Sequence, residues 1–320
     1  MSTGHPDRLI ADIGGTNARF ALTGADGAIV RQQTLPCADY PGLTEAVEYY
    51  LAGVGEGARP REAAMAIATP ITGDRITMTN HVWSFSIEET RQRLGLGRLL
   101  MLNDFTALAM ALPYLDPGDL TQVGGDESRR GAIALLGPGT GLGVSGLIPV
   151  GEGWVPLQGE GGHVTYGPAT DRELEILRIT RTHFEHVSAE RLISGMGLIN
   201  LYQAIASLEE KTLEQLTPAQ ISQRGLEDSD PLCTEAVATF CSMLGTVAGN
   251  LALTLGAVGG VYIGGGIVPR LGEYFARSPF RERFQAKGRF RSYLEPIPCF
   301  VIRAHNPALV GVSKAFDLPG

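Results

Sequence analysis

Short apolar runs alternate with amphipathic stretches along the 320 residues of this chain. Leu9–Ile13, Arg19–Thr23 and Ala28–Thr34 read as three strands, the last two joined by a hairpin turn at Ala25, Asp26 and Gly27. Apolar positions then fall at helical spacing: Leu43, Ala46, Val47, Tyr50 and Leu51. Ala63–Ala68 is a buried strand, and Ser86 to Glu89 has the form of a capping box that opens a helix. Leu99–Leu102 is the next strand and Asp104–Leu112 the helix after it. Strands separated by helices predict an α/β layered fold.

The pattern breaks at Pro113–Asp126, where prolines and glycines mark a domain boundary. A second unit opens with strand Ala132–Leu136 and continues through helices near Arg172–Glu185 and Leu198–Leu208. Pro231–Leu255 is apolar around most of its circumference, which predicts a helix buried in a core. Strand Gly260–Ile263, a mixed-charge surface tract Arg277–Arg291 and strand Phe300–Ala304 follow. Asn306 and Pro307 then supply an N-cap and a first-turn proline for a helix running to about Phe316. This last helix is expected to pack back on the first unit. The domains predicted are therefore 1–113 plus about 305–320, a small α/β domain, and 114–304, a large one.

Three glycine-rich segments interrupt the strands: Ala11–Phe20, Leu136–Gly146 and Gly259–Val268. Glycine there permits positive φ and close approach of backbone to a ligand. The first two both read turn, Gly-Thr, strand, a faint internal repeat of one plan. There is no Walker P-loop, and Gly141–Gly146 matches Gly-x-Gly-x-x-Gly only by the letter, since it lies between two strands rather than opening a helix. Arg19 is the only cationic residue in the three segments. Any polyphosphate is then expected to rest on backbone amides and on the hydroxyls of Thr16 and Thr140, with Mg²⁺ cancelling charge. Asp12, at a strand end before Gly14 and Gly15, is the candidate for that cation, directly or through water.

Two further groups carry chemistry. Asn103 and Asp104 end an apolar strand, where α/β sites gather their catalytic groups, although Asp104 equally suits a helix cap. Glu160 and His163 stand three apart across two glycines, which disfavours a helical metal motif and favours a loop that binds hydroxyls, or a plain loop salt bridge. Glu190 suits either such a site or the first turn of a helix. Asn80–Ser84 is a polar stretch that fits a cleft wall or a surface turn.

Composition narrows the class. Apolar residues make up 44% and charged residues 19%, a globular balance, and the net charge of −8 without a basic block argues against nucleic acid. The segment Gly245–Ile267 comes nearest to a membrane span but holds Asn250 and several glycines. The polar Met1–Arg8 shows no signal-peptide pattern, and Cys37, Cys233, Cys241 and Cys299 have neither disulfide nor zinc spacing. A cytoplasmic protein with these cysteines in its core is expected.

Together, Asp12–Leu22, Pro70–Asp74, Met78–Trp83, Asn103–Ala107, Gly139–Gly143, Gly159–His163, Val187–Arg191 and Gly264–Pro269 closely resemble, in order and spacing, the bacterial ATP-dependent glucokinases that lack a structural zinc. Ala11 stands where relatives often carry glycine. The resemblance implies a two-domain actin-like ATPase (ribonuclease H-like) fold with an interdomain cleft, and ATP-dependent phosphorylation of D-glucose at its 6-hydroxyl. It implies that Asn103, Asp104, Glu160, His163 and Glu190 bind the sugar and that Asp104 is the catalytic base. It places phosphates and Mg²⁺ at Asp12, Gly14, Gly15, Thr16, Asn17, Gly139, Thr140 and Gly141, and adenosine by Gly265 and Gly266. A homodimer is implied too. The rival expectations are a kinase for mannose, fructose or an N-acetylhexosamine, a non-catalytic sugar sensor, and an Hsp70-like ATPase module.

Overall fold

The structure, a computed structural model, describes residues 8–24, 26–55 and 59–317. The stretch Met1–Asp7 and the turn residue Ala25 lie outside the described residues. The chain divides into two compact units, one of residues 1–116, 154–158 and 304–320, the other of 117–153 and 159–303.

Unit 1 is built on a five-stranded sheet. In chain order its elements are β1 (Arg8–Ile13), β2 (Asn17–Thr23), β3 (Ile29–Pro36), α1 (Leu43–Gly53), β4 (Glu62–Ile67), the ribbon β5 (Arg75–Thr77) and β6 (Ser84–Ser86), α2 (Ile87–Arg93), β7 (Arg98–Asn103) and α3 (Asp104–Ala111). The spatial order is β3-β2-β1-β4-β7. β1 and β2 form an antiparallel hairpin, while β1, β4 and β7 run parallel. Ile13 is level with Ile67, and Ile67 with Asn103, so the three parallel strands end at one edge. Ser86 Oγ caps α2 by accepting from the Glu89 N–H at 3.1 Å.

One face of this sheet is covered by α1, through Leu43, Ala46, Val47 and Tyr50. The other meets α3 and the helix Pro307–Ser313, whose Leu309 and Val312 pack on Ile10, Ala64, Ala66 and Ala107. That helix and α3 touch backbone to backbone. A Cβ on Gly311 would overlap the Ala107 carbonyl oxygen. The Pro307 reading holds, but Asn306 does not cap: it sits at φ 52° with no side-chain hydrogen bond to the helix. The helix ends at Ser313, and Ala315–Asp317 continues as a 3-10 turn.

Unit 2 repeats the plan. β8 (Leu120–Gln122) precedes the antiparallel hairpin of β9 (Ile133–Pro138) and β10 (Leu142–Val150). A strand β11 (Gly153–Gln158) is assigned from Trp154 onward to unit 1. Then come α4 (Asp171–Thr180), α5 (Gly195–Leu208), α6 (Pro218–Leu226), α7 (Pro231–Leu255), β12 (Val261–Ile263), α8 (Val268–Leu271), α9 (Glu273–Arg277), α10 (Phe280–Gln285), α11 (Arg291–Leu294) and β13 (Cys299–Ile302). The strands of this unit lie in the order β10-β9-β12-β13-β8, with β9, β12 and β13 parallel.

α7 spans the residues expected, capped by the Asp230 side chain and stopped by Gly256 at φ 60°. By length and composition it passes as a membrane span, contrary to the sequence reading, yet 67% of its most apolar window is buried in the core. Gly245 and Gly249 leave room on it for the backbone of α10 at Phe280 and Phe284. This overturns the reading of Arg277–Arg291 as a solvated tract. Phe280 and Phe284 are core residues, and Arg283 forms an ion pair with Glu173 at 2.7 Å, their side chains 14% and 5% exposed. α4 ends at Thr180, before the expected Glu185, because Arg181–Phe184 turn away. All four cysteines are free and buried, as expected.

Gly311→Ala will lower the unfolding free energy by about 3 kcal/mol, the upper range for forcing a methyl into a packed contact. Urea denaturation followed by circular dichroism measures this.

Candidate active site

The site residues of unit 1 lie where its parallel strands end, the usual edge for ligands in such sheets. The turn after β1 is closed by the Gly14 N–H donating to the Asn17 carbonyl at 3.0 Å. Cys37 fastens it from below, its N–H donating to the Thr16 carbonyl and its thiol to that of Gly14. Gly15 is packed under the β5–β6 turn: a Cβ there would stand 2.9 Å from the Asn80 carbonyl oxygen. Asn80–Ser84 is thus a turn that shapes the first glycine loop, with Asn80 itself exposed. Thr16 is exposed at the loop tip.

Asp12 faces Arg19 across the hairpin register and bonds its guanidinium at 3.1 Å. Burial pushes the Asp12 carboxyl above its ordinary range, and the Arg19 charge opposes that shift. The lone cation of the glycine segments is therefore bound to the carboxylate expected to hold a metal. Among the described residues, no group of three or more acidic, His or Cys side chains could hold an ion without help.

The structure corrects the assignment at the end of β7. The cap of α3 is Asn103, whose Oδ1 accepts from the Phe105 and Thr106 N–H groups at 2.9 and 3.3 Å. Asp104 is the first helical residue, with Oδ1 accepting from the Phe105 N–H at 2.9 Å. Asn103 spends its side-chain carbonyl on the cap.

In unit 2 the second and third glycine loops follow the parallel strands β9 and β12 and are latched together. The Gly264 N–H donates to the Leu136 carbonyl at 2.9 Å and the Ile267 N–H to that of Pro138 at 3.3 Å. Gly265, at φ 77°, lies on the Pro138 carbonyl with no room for a methyl. Gly139 and Gly266 instead face open space. Thr140 is exposed at its loop tip.

Glu160, His163 and Glu190 are brought together here. Gly161–His163 makes one 3-10 turn, closed by the His163 N–H donating to the Glu160 carbonyl. Gly162 lies flat against the Leu142 backbone, which only glycine permits. The Glu190 N–H donates to the Gly162 carbonyl at 2.9 Å, and Thr165 bridges to Ser188. The imidazole stands between the carboxylates, 4.0 Å from Glu160 and 3.9 Å from Glu190. Those spacings are too long for hydrogen bonds. The side chains of Glu160 and His163 are 56% and 59% exposed, so a structural salt bridge here is worth little. The arrangement leaves acceptors and donors open to a polyhydroxylated ligand.

Glu190 is not a first-turn acid. α5 begins at Gly195, capped by Ser194, and Glu190 sits in the turns before it. Its Oε2 accepts from the Leu142 N–H at 2.8 Å. Sequence reasoning missed this bond, because a backbone donor has no residue signature. The Asp12–Arg19 pair did have a signal: a tight hairpin at Gly14–Thr16 sets those two residues opposite each other.

Comparison with known proteins decides the family. The glucokinase family model matches residues 9–318. The chain belongs to the glucokinase family. A glucokinase of Aromatoleum aromaticum is 55% identical over 99% of this chain and 97% of its own. The crystal structure of a glucokinase from an Antarctic psychrotroph, 36% identical, superposes with a TM-score of 0.89 over 98% of this chain and all of that one. A ROK family glucokinase from Streptomyces griseus, solved in complex with glucose and AMPPNP, shares the fold at 20% identity and a TM-score of 0.62, over 96% of this chain and 98% of its own. The fold of this glucokinase-family chain is that of the actin-like ATPase sugar kinases, as the resemblance implied.

The two neighbouring glycines of the third loop will separate structure from ligand contact. Gly265→Ala, strained at positive φ and pressed on Pro138, will cost about 1–3 kcal/mol of stability. Gly266→Ala will stay within about 0.5 kcal/mol of the parent. Thermal unfolding of both variants checks this.

Proposed function

We propose that the protein transfers the γ-phosphoryl group of ATP to the 6-hydroxyl of D-glucose, giving glucose 6-phosphate and ADP. The observation that carries this is the open cluster of Glu160, His163 and Glu190, built in a chain of the glucokinase family. Carboxylates accept from sugar hydroxyls, and the imidazole and the Asn103 amide donate to them. A site that pairs buried hydroxyls rejects a sugar that lacks or misplaces one, because a partner is then left unsatisfied.

Asp104 serves as the base. Its carboxylate orients the 6-hydroxyl and accepts its proton as the bond from O6 to Pγ forms. The bond from Pγ to the bridging oxygen breaks, and its electron pair leaves on ADP. Phosphoryl transfer asks the protein for alignment and charge neutralisation rather than covalent chemistry. The exposed tips at Thr16 and Thr140 supply hydroxyls and backbone amides for phosphate oxygens, with Gly15, Asn17 and Gly141 beside them. The open surfaces of Gly139 and Gly266 let a nucleotide lie against backbone. The Gly14 and Gly139 amides are already engaged within their loops, so these glycines contribute shape.

Mg²⁺ would neutralise phosphate charge when bound. A single partly buried carboxylate, Asp12, fits an ion that takes most of its ligands from phosphate and water. Arg19 would then act as counter-charge to Asp12 in the metal-free protein. The reading includes a homodimer and a cytoplasmic location, which light scattering and cell fractionation address.

Asp104→Asn will lower kcat by about 10²–10⁴-fold, the usual worth of a general base, and leave the glucose Kd within a modest factor. Coupled ADP-release kinetics and glucose binding by intrinsic fluorescence measure the two. Substantial remaining kcat removes the base assignment. Faster turnover of mannose, fructose or an N-acetylhexosamine by the parent removes glucose as the substrate.

A further inference from the structure

Glu190 divides its carboxylate between two tasks. Oε1 faces the His163 imidazole at 3.9 Å, on the side open to ligand, while Oε2 is bonded to the Leu142 N–H at 2.8 Å. Leu142 directly follows the second glycine loop. The carboxylate reaches its backbone because Gly141 has no side chain, and a Cβ on Gly141 would overlap Oε2 itself. The same segment is tied to the loop a second time, through the Gly195 N–H donating to the Gly139 carbonyl at 2.9 Å. Ser194 Oγ, which caps α5, also donates to the Glu190 carbonyl at 2.8 Å. The stretch 190–195 is thus bound at both ends to the loop 139–142.

We infer that Gly141 is a specificity-determining position for the sugar, by seating the Glu190 carboxylate, and that the Glu190–Leu142 bond couples sugar binding to nucleotide binding. This rests on the sugar and nucleotide roles proposed above. The charge that accepts from a sugar hydroxyl is also the charge that orients a loop amide. A hydroxyl drawing on Oε1 changes the bond at Oε2, and a nucleotide that orders the loop fixes Oε2 in turn. Coupling of this kind is reciprocal by thermodynamic necessity.

Gly141 has an ordinary backbone, since it is not among the glycines with positive φ. The three nearest atoms that a methyl there would meet belong to the end of a flexible side chain. Gly141→Ala therefore keeps the fold and displaces Glu190.

The test is binding by calorimetry on the full chain, with glucose and the non-hydrolysable analogue AMPPNP as probes. Gly141→Ala will weaken glucose at least tenfold in the absence of any nucleotide, while its thermal unfolding stays close to the parent's. In the parent, saturating glucose will change the AMPPNP Kd by several-fold. In Glu190→Gln that factor will fall to about one, and the AMPPNP Kd without sugar will rise. Parent-like glucose binding in Gly141→Ala, or an undiminished coupling factor in Glu190→Gln, overturns the inference. A parent protein that binds and turns over no glucose fails the function proposed above instead.

Discussion

Backbone lies directly on backbone in unit 2, with Gly162 on the Leu142 carbonyl and Gly265 on that of Pro138, and the Glu190 carboxylate rests over Gly141. A methyl group at Gly162 or Gly265 would hold the neighbouring segments apart. With none present, four stretches that are distant in sequence stack closely enough for peptide groups to bond to one another. The result is a set of dipoles fixed before any ligand arrives. Fixed dipoles need no reorganisation as charge moves, which is the main electrostatic advantage of a folded site over water.

The sheets set where these stretches meet. In each unit an antiparallel hairpin is followed by parallel strands, and the glycine loops leave the parallel strands at their carboxyl ends. Ile13, Ile67 and Asn103 end level in one unit, and Leu136 and Ile263 in the other. Parallel register thus gathers residues that are far apart in the chain along one edge. Two copies of the plan give two such edges, with Asp104 at one of them and Glu160, His163 and Glu190 clustered in the other unit.

Much of this was legible in the sequence, for definite reasons. Apolar runs of strand length, the periodic face of α1 and the all-round apolarity of α7 are local signals, and so is glycine beside a strand. Nearly every strand and helix read from them appears within a few residues. Motif order singled out Asn103, Asp104, Glu160, His163 and Glu190, and the fold brings the last three together. What was illegible depends on tertiary approach. The Arg283–Glu173 pair spans 110 residues and forms only because Gly245 and Gly249 admit α10, so a tract rich in charge looked solvated although Phe280 and Phe284 within it are core residues. The exchange of capping between Asp104 and Asn103 turns on one residue of register at a helix start, where both side chains suit the position. α6, opened by a complete capping box of Thr217 and Gln220, is short and mostly polar, and its signal was weak.

The helix Pro307–Ser313 that covers one face of the unit 1 sheet also bears on how the molecule is made. Its partners Ile10, Ala64 and Ala107 leave the ribosome early, whereas Leu309 and Val312 follow only after all of unit 2. Until then that face of the sheet is covered by α3 alone, and a partly exposed apolar face is prone to aggregate. Unit 2 closes its core without waiting for that helix. Synthesis therefore imposes an order in which unit 2, with Glu160 and Glu190, is complete before α3, which carries Asp104, gains its final support.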